Sequence, residues 1–118
     1  MADNCRYNID GLISELEIEL EDAAELYRSY EMEMKEEIEA MEELCSSKDY
    51  EKLERVIHNI KGVSANLGIN DVYQTAADFD IKLKNGITDS ADVNVAYLVL
   101  MIKNSIEEIK VFFNNKGL

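Results

Sequence analysis

"VIHNIKGVSANLG" occupies residues 56–68 and contains the chain's only histidine. Around it, Leu53, Val56, Ile57, Ile60, Val63 and Leu67 recur in steps of three and four, the period of an amphipathic helix. On a wheel turning about 100° per residue with His58 at zero, these six fall between roughly 140° and 260°. The apolar stripe therefore lies opposite the imidazole, and His58 is expected on the polar face. Gly62 follows one turn later with no side chain, Ala65 two turns later with a methyl, and Lys61 sits at i+3. A glycine inside a helix costs about 1 kcal/mol relative to alanine. On an exposed face it gains nothing structurally, so an accidental glycine competes with one that clears space around the ring.

The same period runs through the rest of the chain. It predicts helices over about 9–20, 22–46, 50–67, 71–85 and 90–114. Asp22 and Asp49 are the expected N-caps of the second and third, Asn70 or Asp71 of the fourth, and Asp89 or Ser90 of the fifth. Gly68 fits the C-terminal cap of the third helix, and Asn85-Gly86 ends the fourth. The second helix carries the stripe Ala23, Leu26, Tyr27, Tyr30, Met34, Ile38, Met41, Leu44, Cys45. The fourth carries Val72, Ala76, Phe79, Leu83, and the fifth Val95, Leu98, Met101, Ile102, Ser105, Ile106, Ile109, Phe112, Phe113. Connections of only a few residues force antiparallel neighbours. The expected fold is all-α, an up-down-up-down four-helix bundle with a short extra N-terminal helix, spanning residues 1–118 as one domain.

Composition agrees and excludes some functions. The 118 residues include no proline and five glycines, which favours long helices. The net charge of −13 argues against nucleic-acid binding through phosphate neutralisation and against an anionic membrane surface. Residues 10–43 hold fourteen acids against two bases, while residues 44–118 hold ten against nine. The acidic half reads as a solvated face or as a docking surface for a basic partner. No run of about 18 apolar residues exists to span a membrane, and "MADNCRYNID" lacks the pattern of a secretion signal. Cys5 and Cys45 read as reduced thiols, a single disulfide being the alternative. The expected location is the cytoplasm.

An outward imidazole is a nucleophile near neutral pH. An ammonium beside it would stabilise a doubly charged group added to the ring. Cleared surface would admit a partner protein. Together these features describe a phosphoryl acceptor that relies on its partner for catalysis.

"HNIKGVSANLG" resembles the signature of histidine-containing phosphotransfer (HPt) domains, roughly H-x-[IL]-K-G-x-[SA]-x-x-[IL]-G. His58, Ile60, Lys61, Gly62, Ser64, Leu67 and Gly68 match it. "EDAAELYRSY", "KDYEKLERVIH" and "YQTAADFD" resemble family segments before and after. The resemblance implies a four-helix bundle that takes phosphate from a receiver domain's aspartyl phosphate onto the distal nitrogen of His58 and passes it to another receiver. It implies a role for Lys61 near the phosphate and for Gly62 in giving the receiver room. Gly68 and Ser64 read as structural.

The expected docking face comprises Gly62, Ala65, Arg55, Glu54 and Glu51, with apolar contact from the second helix. No cofactor, metal or nucleotide site is expected in the chain itself. Mg²⁺ is expected in the partner receiver, and Glu51 and Glu54 read as ordinary surface acids. The expected partners are response-regulator receivers and a hybrid sensor histidine kinase, met by a monomer. The chain would be a phosphocarrier and not an enzyme. A di-iron bundle needs two Glu-x-x-His motifs, and a lone hydrolase needs a triad; neither is present. Two alternatives remain open: the N-terminal phosphoacceptor domain of a chemotaxis-type kinase, and an acidic helical adaptor without phosphotransfer. Whether the module is free-standing or excised from a kinase also stays open.

Overall fold

The computed structural model describes residues 5–118; residues 1–4, part of the stretch read above for a secretion signal, lie outside the described residues. Five helices follow in order: α1 Ile9–Leu16, α2 Leu20–Ser46, α3 Tyr50–Asn66, α4 Asn70–Lys84 and α5 Ala91–Asn115. The four longer ones contact one another in the cyclic order α2, α3, α4, α5 and back to α2. That is the expected antiparallel bundle, 45 Å long and about 22 Å across. Among the described residues no helix is long and apolar enough to cross a membrane.

Each helix turns its stripe inward. Met34, Met41, Leu53, Ile57, Ile60, Val72, Ala76, Leu98 and Ile102 are fully buried. Burial of such side chains supplies about 1.5–3 kcal/mol each, measured against an extended chain. The hydroxyls of Tyr27, Tyr30 and Ser105, which enter this core, are paired. The Tyr27 hydroxyl donates to the Leu67 carbonyl at 2.7 Å, so α2 satisfies an otherwise free acceptor at the end of α3. Ser105 donates to the Ile102 carbonyl at 2.6 Å and lies 3.2 Å from the Tyr30 hydroxyl. Cys5 and Cys45 are not joined by a disulfide.

Four local expectations are corrected. Helix α1 stops at Leu16, short of residue 20, because Glu17 enters the left-handed region (φ 54°) and the Ile18 amide turns back to the Ile13 carbonyl. Helix α2 opens two residues before the expected start: Glu19 is its N-cap, and Asp22 lies inside, accepting from the Glu19 amide at 3.3 Å. Helix α4 is capped by Ile69, not by Asn70 or Asp71. Asp71 is drawn instead to the Tyr7 hydroxyl at 3.2 Å and to Arg6 at 3.3 Å, which ties the N-terminal segment to the bundle. Leu26, read as core, is 40% exposed, and Ala24 is buried in its helix instead. The other expected caps, Asp49 and Ser90, stand.

Helix α3 carries two glycines in opposite situations. Gly68 sits just past its end at φ +71°, and the Ile69 amide donates back to the Ser64 carbonyl at 2.9 Å. This is the αL stop that favours glycine. A Cβ on Gly62 would meet nothing within 4 Å, and its φ is not in the left-handed region. Neither packing nor backbone requires that glycine. Urea unfolding should therefore give opposite signs: Gly62→Ala more stable by about 1 kcal/mol, Gly68→Ala less stable by about 1 kcal/mol.

Candidate functional site

His58 projects from α3 into solvent, its side chain 61% exposed, as its place on the wheel requires. Gly62 and Ala65 follow on the same face and are exposed. Arg55 and Glu51 are exposed too, and pair with each other at 3.6 Å along the helix. One flank of this face belongs to α2. There the Asn59 amide donates to Glu33 at 2.8 Å and to Glu37 at 2.7 Å. The partly exposed Leu26 occupies the same side of α2 as these acids.

The other flank belongs to α4 and holds the group that the sequence reading missed. Asp80 is 1% exposed, yet it is the hub of the site. Its Oδ2 lies 3.1 Å from Lys61 Nζ, 3.2 Å from Lys84 Nζ and 3.6 Å from His58 Nδ1. Its Oδ1 is buried and has no hydrogen-bond partner among the described residues. Lys84 also lies 3.8 Å from Glu54. Lys61 thus reaches across to α4 and is not directed at the imidazole alone. Glu54, read as an ordinary surface acid, is half-buried and part of this cluster. The reason is position: α3 and α4 run antiparallel, so the i−4 and i+3 neighbours of His58 face the ridge of α4 that carries Asp80 and Lys84. That ridge continues through Ala77 to Tyr73, one and two turns away.

A sequence signal for Asp80 existed. It is four residues after Ala76 and one after Phe79, inside the arc of buried positions, and Lys84 stands one turn on. A carboxylate in a core-facing position must be paired or neutralised.

Burial alone would raise the Asp80 carboxyl, but hydrogen bonds with Glu54, Lys61 and Lys84 outweigh it and bring the group from 3.8 down to about 2. Glu54 is pushed up, first by its hydrogen bond to Asp80, then by burial and by the Asp80 charge. Of the two acids, Asp80 stays ionised and Glu54 takes the first proton.

Glu54, His58 and Asp80 offer three ligand atoms within 4.8 Å of one another. Two ammonium groups already neutralise the Asp80 carboxylate, and they oppose a divalent cation there. The arrangement is better suited to anions: an exposed imidazole with two flexible ammonium groups beside it.

Residues 25–110 match the family model described as the Hpt domain. No curated protein and no solved structure matches the chain significantly.

The Asp80 shift predicts acid sensitivity. Because its folded value lies below its unfolded one, its contribution to stability is complete above pH 3.8 and is lost as pH falls toward about 2. Glu54, shifted upward, acts in the opposite sense and gains stability on protonation, so the loss belongs to Asp80. Urea-derived stability should fall across this window in the native chain and fall less in Asp80→Asn.

Proposed function

This chain belongs to the Hpt domain family, and from that premise we propose that it accepts a phosphoryl group on His58 from a receiver-domain aspartyl phosphate and passes it to another receiver. Hpt domains serve phosphotransfer in two-component phosphorelays, as phosphocarriers and not as catalysts. The observation that carries the assignment to His58 is its ring: exposed, beside the bare Gly62, with Nδ1 turned to a buried carboxylate.

The chemistry follows from that orientation. A proton on Nδ1 faces Asp80, so the lone pair of Nε2 is free to attack phosphorus. The 3.6 Å separation is too long for a hydrogen bond in the resting chain, and such contacts tighten as charge develops. As the N–P bond forms, the P–O bond to the receiver's aspartate breaks and its electron pair leaves with that carboxylate. No proton has to depart, so no general base is needed. The ring gains positive charge, which Asp80 offsets. Lys61 and Lys84 lie close enough for their ammonium groups to meet the phosphoryl oxygens. The receiver brings its own acidic pocket and Mg²⁺, and alignment plus charge stabilisation supply the rate.

Docking requires the receiver to come within bonding distance of Nε2. Gly62 and Ala65 leave the approach open, with Leu26 and Tyr73 as apolar borders and Arg55, Glu51 and Glu54 along the N-terminal part of the face. The contact is expected to be small and transient.

A transfer assay with radiolabelled receivers tests the reading. His58→Gln should abolish labelling and keep its helical circular dichroism; a labelled variant would refute the assignment. Gly62→Leu should keep or raise stability and yet cut receiver transfer by about tenfold or more, since one misplaced side chain can disrupt the alignment. Chemical loading of His58 by phosphoramidate, which needs no docking, should persist in that variant.

A further inference from the structure

Asp80 presents an energetic problem that phosphorylation changes. In the resting chain one buried carboxylate oxygen, Oδ2, has two ammonium groups within 3.2 Å. The other oxygen, Oδ1, is buried and without a partner among the described residues. Among the described residues no other cation reaches Asp80: Glu54 is an acid, and the backbone of α4 is committed to its own helix. For positive charge Asp80 thus depends on Lys61 and Lys84, with His58 Nδ1 at 3.6 Å and the Glu54 carboxyl as its remaining neighbours.

Both ammonium groups share Asp80 Oδ2 with His58 Nδ1, so both lie close to the imidazole. Lys61 is 26% exposed and Lys84 53% exposed, each on a flexible four-carbon stem. A phosphoryl group on His58 is a dianion a few ångströms away and competes for both. Every lysine that turns outward to it weakens the pairing of a carboxylate that cannot reach water.

We propose that Lys61 and Lys84 exchange partners between Asp80 and the phosphoryl group, so that Asp80 acts as a positioning residue that limits how tightly phosphate is held on His58 and keeps it transferable. The inference rests on the reading of His58 as the phosphoacceptor. A carrier must release what it accepts. An ammonium that stabilises the phosphorylated state only at the expense of another pairing lowers the free energy of that state less than an unattached one would. The covalent step itself is unchanged: the N–P bond forms and breaks against the receiver's aspartate, and the lysines move without exchanging protons.

A double-mutant cycle distinguishes this exchange from simple additive electrostatics. The measured quantity is the equilibrium division of phosphate between His58 and a receiver that exchanges with it. In the native background Lys84→Gln should lower His58 occupancy by only about twofold, because the lost phosphate contact is partly offset by the lost Asp80 pair. In the Asp80→Asn background nothing offsets it, and the same change should lower occupancy by about tenfold. Lys61→Gln should follow the same pattern.

Equal effects in the two backgrounds would overturn the exchange, since additive charges predict them. So would an Asp80→Asn chain that keeps its helical circular dichroism but takes no phosphate, because the offset of the ring's charge by Asp80 would then outweigh its competition for the lysines. Asp80→Ser serves as the second background if the asparagine variant does not fold. A native chain that exchanges phosphate with no receiver would instead overturn the reading of His58, a different failure with a different signature.

Discussion

A carboxylate inside a bundle must be neutralised, and that demand at Asp80 organises the face around His58. Asp80 occupies a core-facing place on α4 and is almost inaccessible to water. Its surroundings meet the demand with Lys61 from α3 and Lys84 from α4. The cross-helix contact brings positive charge to the side of the imidazole where a phosphoryl group would need it. It also turns Nδ1 of the ring inward. Remove the burial and the same three side chains would be independent surface charges worth little to one another.

The glycine beside the ring states a second constraint. Gly62 has open space around it and a backbone that any residue could adopt. Its cost falls on helix stability, and its gain lies outside the chain. The contrast with Gly68, whose φ +71° answers to the fold, separates the two kinds of glycine on one helix. Exposed Leu26 on α2 belongs with Gly62: both sit where internal packing would have chosen differently, and both border the same accessible strip.

Much of this was legible in the sequence because it depends on period. The stripes of α3, α4 and α5 follow the helical repeat, so the bundle, the short connections and the outward direction of His58 came directly from spacing. What was not legible depends on which helix faces which. Asp80 reads as one polar interruption in an apolar pattern until α3 is laid against it. Glu54 reads as one acid among many in a chain with 25. The N-terminal boundaries of α2 and α4 were misread because Asp22 and Asp71 are good caps in isolation. In the fold, the first lies inside its helix and the second is held by Tyr7 and Arg6.

The site divides its work between rigid and mobile parts. His58 rides on a helix whose opposite face is fully buried at Ile57 and Ile60, so the nucleophile is presented at a fixed place and direction. The ammonium groups reach the same spot on long, flexible stems. Attack on phosphorus rewards alignment, which falls steeply with displacement. Charge stabilisation tolerates movement, because a Coulomb interaction changes slowly with distance. A rigid imidazole with mobile lysines therefore suits a group that must meet a partner accurately, be held briefly and be given up. The reverse arrangement would hold charge well and transfer poorly.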